Sequence, residues 1–438
     1  MQRTLVSETI REIGKTVKVS GWVKTKRDHG KISFIDLRDR SGILQCVISA
    51  QTRNYEEAKL VRDQWVVELT GKIKARPENL INSEIETGKI ELEVLEYKII
   101  SRAQELPIDV SLEDMHLHIE TLLDYRNLTV RNEKVGAIFR VYAQTLKSYS
   151  DFMRSQNFLE IKTPKLVYAA TEGGANFFKV KYFEEEAFLA QSPQFYKQAG
   201  VSFFERVFEI GSVFRAEPHF TSRHVNEYIG LDAEMGFIES CEDIMKMLEQ
   251  TMKKMLRDVK DNCEKELRLH EASIDIPEKF PRIKLSEALD ILKNKFNKVS
   301  EEFDIDPEGE RLICQWAKEE KGSDFIFLTH YPVTLRPMYT MPDPENPKET
   351  LSFDLLYRGV EIATGGQRIH DYDQLKKSLE KKGLQPQDFK HYLEMFRYGM
   401  PPHGGWGLGS ERIVQKILGL KNIKEAILFP RDVKRLTP

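Results

Sequence analysis

Two distant stretches constrain the fold of this chain more than anything else in it. Residues 211–228 read Gly-Ser-Val-Phe-Arg-Ala-Glu-Pro-His-Phe-Thr-Ser-Arg-His-Val-Asn-Glu-Tyr, two strand-like runs around a loop of arginines, histidines and carboxylates. Residues 404–412 read Gly-Gly-Trp-Gly-Leu-Gly-Ser-Glu-Arg and lead into an apolar run, Ile413 to Leu420, with the look of a helix. Together they hold what a triphosphate requires: fixed guanidinium groups, bidentate where possible, and backbone that allows close approach.

The 438 residues predict more than one domain, and 40% apolar with 31% charged residues fits a soluble globular protein. No apolar run approaches the ~18 residues of a membrane span, and the start lacks the apolar centre of a secretory signal. Cys46, Cys241, Cys263 and Cys314 are scattered, which predicts free thiols in a reducing cytoplasm. With a net charge of −3, a nucleic acid must be met by local patches instead of a whole-molecule field.

The first hundred residues read as short strands: 17–23, 32–37, 43–48, 65–69 and 89–94, rich in β-branched and aromatic residues and punctuated by turn chemistry. A short helix is predicted over 56–62. Five strands with a helix after the third is the plan of an OB-fold barrel, whose open face binds oligonucleotides. Leu44, Cys46 and Ile48 alternate onto one face and leave Gln45 on the other; Ile35 and Leu37 likewise oppose Phe34. An aromatic and an amide facing outward suit base stacking and base-edge recognition.

Beyond a proline-containing acidic linker, helical spacing predicts a helix from Asn132 through Met153. Helices are also predicted over 242–260 and 283–292, an irregular charged stretch over 293–308, and interior strands over 325–328 and 352–357. Helices and strands without a Gly-x-Gly-x-x-Gly opening predict an α+β fold, not a doubly wound sheet. The expected organisation is an OB-fold domain at 1–103, a hinge at 104–130 and a catalytic domain at 131–438.

Residues 211–228 and 404–412 resemble motifs 2 and 3 of the class II aminoacyl-tRNA synthetases, and Asn157 to Pro164 resembles motif 1. The resemblance implies an antiparallel-sheet catalytic domain that adenylates an amino acid with ATP, and a homodimer built through motif 1. It gives Arg215 to the α-phosphate, Glu217 to the adenine amino group, Arg223 and His224 to the outer phosphates, and Arg412 to the γ-phosphate. Tyr228 stands where the family usually stacks a phenylalanine on adenine. Asp354 and Glu361, with Thr364 where relatives often carry serine, are the implied magnesium ligands. On one extended strand the two carboxylates would face opposite ways unless a bulge at Gly359 re-aimed one.

Gln191 to Gln198 and Gly365 to His370 resemble the aspartyl-tRNA synthetases of archaeal and eukaryotic type. That likeness makes Lys197 and Arg368 the pair that neutralises the aspartate side chain. It gives Asp232 the orienting of Lys197 or the substrate amine, and Glu172 the ammonium from a mobile loop. Ser192, Gln194 and Thr364 complete the aspartate pocket. It also places Arg27, Phe34, Gln45 and Glu93 where the family meets the anticodon. The implied product is aspartyl-tRNA(Asp), with tRNA(Asn) as an open second acceptor. An asparaginyl enzyme and a non-catalytic paralogue are the rival readings; Lys197 opposes the first, and Arg215, Arg412, Asp354 and Glu361 oppose the second. Ser410, where an aliphatic residue is usual, is expected to loosen the packing behind Arg412.

Overall fold

The structure is a computed structural model that describes residues 1–168, 176–300 and 303–438. It divides into two compact units, Met1–Met115 and His116–Pro438.

The first unit is a closed barrel of β1 (Thr16–His29), β2 (Ile32–Asp39), β3 (Gly42–Ser49), β4 (Val66–Ala75) and β5 (Ile90–Ser101), in the order β1-β2-β3-β5-β4. Period-two alternation fills its interior: Ile35, Leu37, Leu44, Cys46 and Ile48 are fully buried. The helix predicted over 56–62 is only a single turn, α1 (Tyr55–Ala58), and continues to Val61 through looser i→i+3 bonds. Gln64, in a left-handed conformation at φ 67°, then redirects the chain into β4.

The second unit is built on an eight-stranded sheet. In chain order its labelled parts are helix α2 (Glu133–Ser155), β6 (Leu159–Glu160), α3 (Gln194–Phe204), β7 (Arg206–Phe214), β8 (Glu227–Gly236), α4 (Cys241–Asn262), β9 (Arg282–Lys284), α5 (Leu285–Phe296), α6 (Pro307–Lys321), β10 (Phe325–Thr329), β11 (Ser352–Tyr357), β12 (Val360–Arg368), β13 (His403–Leu408) and α7 (Ser410–Leu418). The strand order is β9-β10-β11-β12-β13-β8-β7-β6. Helix α2 begins where Asn132 caps the Val135 amide at 3.2 Å, a standard device for an orphan N–H. Its apolar stripe packs with α4 into the core that covers one face of the sheet. Met245, Met252 and Met255 are core filler there.

Two local expectations are corrected. Ile283 and Lys284 belong to a strand, because they pair in parallel with Leu328 and Thr329; tertiary pairing overrides their helical spacing. The stretch expected to be irregular at 293–308 contains the end of α5 and the capped start of α6, where the Asp306 side chain accepts from Gly309 N. Within the region expected as a hinge, Arg126 is fully buried and donates to the carbonyls of Glu425, Ile427 and Leu428 at 2.8, 2.8 and 3.0 Å. That guanidinium fastens the C-terminal segment to the second unit.

Candidate active site

The central strands create the site. β7 and β8 pair antiparallel from Arg206↔Met235 to Phe214↔Glu227, and residues 215–226 loop out beyond their ends. β13 lies between β8 and β12, so Trp406 faces both Ala233 and Gly365. A Cβ on Gly405 would collide with the Ala233 carbonyl, which is why this strand needs glycine. Above these strands opens a cleft of about 240 Å³. It brings together Ser192, Gln194, Lys197, Arg215, Glu217, Arg223, His224, Tyr228, Asp232, Glu361, Thr364, Arg368 and Arg412. Asp354 is not in its lining. Glu172 lies outside the described residues.

At one end of the cleft, Lys197 and Arg368 are almost entirely buried, and each meets a carboxylate. Lys197 Nζ donates to Asp232 Oδ1 and to the Trp406 carbonyl, both at 2.9 Å, and lies 3.5 Å from Glu234 Oε2. Arg368 Nε donates to Glu234 Oε1 at 2.9 Å, and its Nη2 to the Gly405 carbonyl at 3.1 Å. Glu234, fully buried between the two cations, was missed by the sequence reading. Its signal was available: it follows Asp232 by two residues on β8, so both carboxylates share one face. Burial raises the Asp232 carboxyl above its usual range despite Lys197. For Glu234 the penalty of burial is outweighed by Arg368 and Lys197, which hold it below its usual range.

Behind this pair sits His403, fully buried on β13. Its Nδ1 donates to the Pro401 carbonyl at 2.8 Å, and its Nε2 accepts from Gln198 Nε2 at 2.9 Å, a neutral tautomer. Burial lowers its pKa to about 4. The unfolded chain, with an ordinary histidine, binds more protons between that value and about 6.5, so this residue's contribution to stability is complete above pH ~6.5 and falls as pH drops towards 4. Urea midpoints measured across this window should fall with pH, and His403→Gln should flatten the slope.

The other end of the cleft carries the arginines of the motif 2 and motif 3 stretches. The Arg215 guanidinium lies 5.6 Å from the Tyr228 ring centroid and 3.7 Å from Glu217. Arg223 pairs with Glu310 of α6, a carboxylate that the sequence reading did not include. Burial raises Glu310 above its usual range, and Arg223 opposes that rise. His224 Nδ1 lies 2.7 Å from Thr221 Oγ1 and Nε2 3.6 Å from Glu217; burial lowers its pKa, which favours the neutral ring. Arg412 Nη1 donates to the Glu361 carbonyl at 2.6 Å.

Asp354 and Glu361 are not on one strand, which corrects the expected geometry. The chain reverses at Arg358 and Gly359, both with positive φ, in a two-residue hairpin between β11 and β12. The register steps from Leu355↔Ala363 to Leu356↔Glu361, so Ile362 is a bulge. Asp354 pairs with Thr364, and the bulge turns Glu361 onto that same face. Burial and the nearby Asp354 carboxylate raise Glu361, while Arg412 and Arg215 oppose the rise. Asp354 itself is ion-paired with Arg336 at 2.9 Å. Among the described residues, no three His, Cys, Asp or Glu converge as a metal-binding group.

Ser410 does not loosen the packing behind Arg412. It is fully buried and donates within a closed network: its Oγ lies 3.0 Å from the Ile229 carbonyl, 2.9 Å from Glu411 Oε2 and 3.0 Å from the Tyr142 hydroxyl. Tyr142 of α2 and the Ile229 amide also donate to Glu411 Oε1, each at 3.0 Å. Glu411 is thus a buried carboxyl, raised by burial, that neutral donors satisfy. Tyr142→Phe removes one donor and should cost about 1–3 kcal/mol, read as a fall in the denaturant midpoint.

In the barrel unit, Phe34, Gln45 and Glu93 share the outer face with Asp36 and Glu91. Arg27 stands opposite Phe34 and donates to Asp36 Oδ1 at 3.0 Å. Gln45 Nε2 donates to Glu91 Oε2 at 3.1 Å, and Glu93 accepts from Lys74 at 2.5 Å.

Residues 118–433 match the family of class II tRNA synthetases (D, K and N), and residues 17–100 match the OB-fold nucleic acid binding domain. The aspartate–tRNA(Asp/Asn) ligase of Deinococcus radiodurans is 43% identical over 100% of this chain and 99% of that protein. The aspartate–tRNA(Asp) ligase of Pyrococcus abyssi is also 43% identical, over 100% of both chains. Among solved structures, the asparaginyl-tRNA synthetase of Pyrococcus horikoshii complexed with asparaginyl-adenylate superposes with a TM-score of 0.91 at 32% identity, covering 100% of both chains. A putative aspartyl-tRNA synthetase from Leishmania major gives 0.89 at 29% identity, over 100% of this chain and 95% of that one. With the barrel, the sheet and the arginine-lined cleft already in view, these likenesses show that the chain belongs to the class II aminoacyl-tRNA synthetases, in their aspartate–tRNA ligase branch.

Proposed function

We propose that the cleft joins L-aspartate to ATP and passes the aspartyl group to tRNA(Asp). One observation carries this reading: two buried cations, Lys197 and Arg368, stand at one end of a cleft whose other end holds Arg215, Arg223 and Arg412. The substrate α-carboxylate is itself the nucleophile and attacks the α-phosphorus as pyrophosphate leaves. No protein nucleophile is required, and catalysis rests on positioning and charge neutralisation. A terminal adenosine hydroxyl of the tRNA then attacks the activated carbonyl, and AMP leaves. At the amino-acid end, an asparagine amide would leave the Lys197–Arg368 pair without the extra negative charge, which favours aspartate.

The carboxyl of Glu361 and the hydroxyl of Thr364 are oxygen donors of the kind magnesium takes, and the like-charged Glu361 and Asp354 give a cation reason to settle there. Bound with ATP, magnesium would neutralise phosphate charge; holding it falls to Glu361 and Thr364, with Asp354 behind them. A homodimer follows from the same reading. Strand β6 lies at the edge of the sheet, and Leu159 upon it is 46% exposed, an edge that a second copy would cover. Sedimentation at twice the chain mass is the expected result. The barrel's outer face, with Arg27, Phe34, Gln45 and Glu93, would meet the anticodon of a cytoplasmic tRNA.

The relatives divide between enzymes named for tRNA(Asp) alone and for tRNA(Asp/Asn). We assign that choice to the segment 76–88 beside Glu93. Exchanging it for that of a tRNA(Asp)-only relative should change the ratio of the two charging rates; an unchanged ratio would remove the assignment. The founding test is ATP–pyrophosphate exchange with aspartate, asparagine or lysine offered separately. Exchange with aspartate alone is expected. Exchange driven by asparagine would overturn the pocket assignment, and none at all would favour a binding-only paralogue.

A further inference from the structure

Arg336 lies outside all the motif stretches, yet it lines the cleft. It follows a short 3₁₀ turn, Val333–Leu335, and its guanidinium lies 3.8 Å from the centroid of the Tyr331 ring. Nη1 donates to Thr364 Oγ1 at 3.1 Å, and Nη2 is ion-paired with Asp354 Oδ1 at 2.9 Å. Nε is buried without a hydrogen-bond partner. Buried polar atoms in that condition call for an explanation, and a working site is a common one.

A guanidinium has donors and no acceptor. Its bond to Thr364 therefore uses one lone pair of the hydroxyl oxygen and leaves the hydroxyl proton and the second lone pair for the cleft. Thr364 lies on β12 between Glu361, beside the arginines of the phosphate end, and Arg368 of the amino-acid end. A hydroxyl at that junction is useful only if its direction is fixed. Asp354, pairing with Thr364 across the two strands, supplies the counter-charge that keeps the guanidinium in place.

We propose that Arg336 is a positioning residue of the adenylation site, tethered by Asp354, which fixes the Thr364 hydroxyl towards the bound substrates. The inference rests on reading the cleft as an adenylation site, and it gives Asp354 the part of a tether. Lysine cannot replace arginine here, because only a fork reaches Thr364 and Asp354 together.

The test uses the full-length protein and the variants Arg336→Gln, Arg336→Lys, Thr364→Val and the double variant Arg336→Gln/Thr364→Val. Two quantities are read: the kcat of aspartate-dependent ATP–pyrophosphate exchange, and the calorimetric affinity for ATP with magnesium in the absence of aspartate. Each single variant should lose roughly tenfold to a hundredfold in kcat. The double variant should be no worse than its poorer parent, because both changes break one link. Losses that multiply, or a parental rate in Arg336→Lys, would overturn the proposal. Arg336→Lys keeps the charge and covers the case in which Arg336→Gln fails to fold. If the parent protein shows no aspartate-dependent exchange, the functional reading fails on its own. Calorimetry then still decides: an ATP affinity about tenfold weaker in each single variant, with no further loss in the double, retains the link, and unchanged affinity removes it.

Discussion

Replacing Arg412 by alanine is expected to lower aspartate-dependent ATP–pyrophosphate exchange by about 10²- to 10³-fold, with the fold intact. The guanidinium donates to the Glu361 carbonyl at 2.6 Å and lies 3.9 Å from the Glu361 carboxylate, so both contacts are to one residue at the cleft wall. A charge aimed at the developing negative charge of the phosphates, by contrast, contributes chiefly in the transition state. The loss should therefore fall on kcat more than on KM for ATP. Arg412→Lys should recover only a small part, since a point charge cannot reproduce a fork that grips two oxygens. Stopped-flow or exchange kinetics with a melting curve on the same sample checks both halves. A variant that melts as the parent does and exchanges at the parental rate would exclude Arg412 from the chemistry.

Glu234→Ala is expected to show the largest effect on stability, a loss of about 3–5 kcal/mol in denaturant unfolding. The side chain is wholly buried and is the acceptor for Arg368 and the second neighbour of Lys197. Its removal leaves two buried cations facing Asp232 alone. Aspartate added to the buffer should raise the melting temperature of this variant more than that of the parent, because the substrate's side-chain carboxylate becomes the missing counter-charge. Asparagine, which brings no such charge, should not reproduce that gain. Equal shifts for parent and variant would show that the substrate carboxylate does not reach the pair.

The residues of the cleft were legible in the sequence to the extent that they sat in contiguous, chemically loaded stretches. Arg215, Glu217, Arg223, His224 and Tyr228 come from one loop and its flanking strands, and Arg412 from the glycine-rich strand and helix. Glu234, Glu310 and Arg336 were missed for three different reasons. Glu234 shares a strand face with Asp232, which was readable, but its meaning comes only from Lys197 on α3 and Arg368 on β12. Glu310 is one acid among several on an ordinary amphipathic helix, until Arg223 is found beside it. Arg336 follows a turn in a proline-containing segment, and only the pairing of β11 with β12 puts Asp354 and Thr364 within its reach.

By itself the sequence determined the barrel, the α+β class and the identity of most groups that face the cleft. Alternation and turn chemistry are local, and a run such as Ile32 to Leu37 declares its buried face without knowing its neighbours. What the tertiary structure alone decided is which charges neutralise one another. The hairpin at Arg358–Gly359 and the bulge at Ile362 bring Glu361 and Asp354 to one face; Ser410 becomes a donor to a buried Glu411 instead of a gap behind Arg412. The physical reason is that an ion pair or a buried hydrogen bond is fixed by distance in space, and residues 142, 229 and 411 are close only once the sheet has formed.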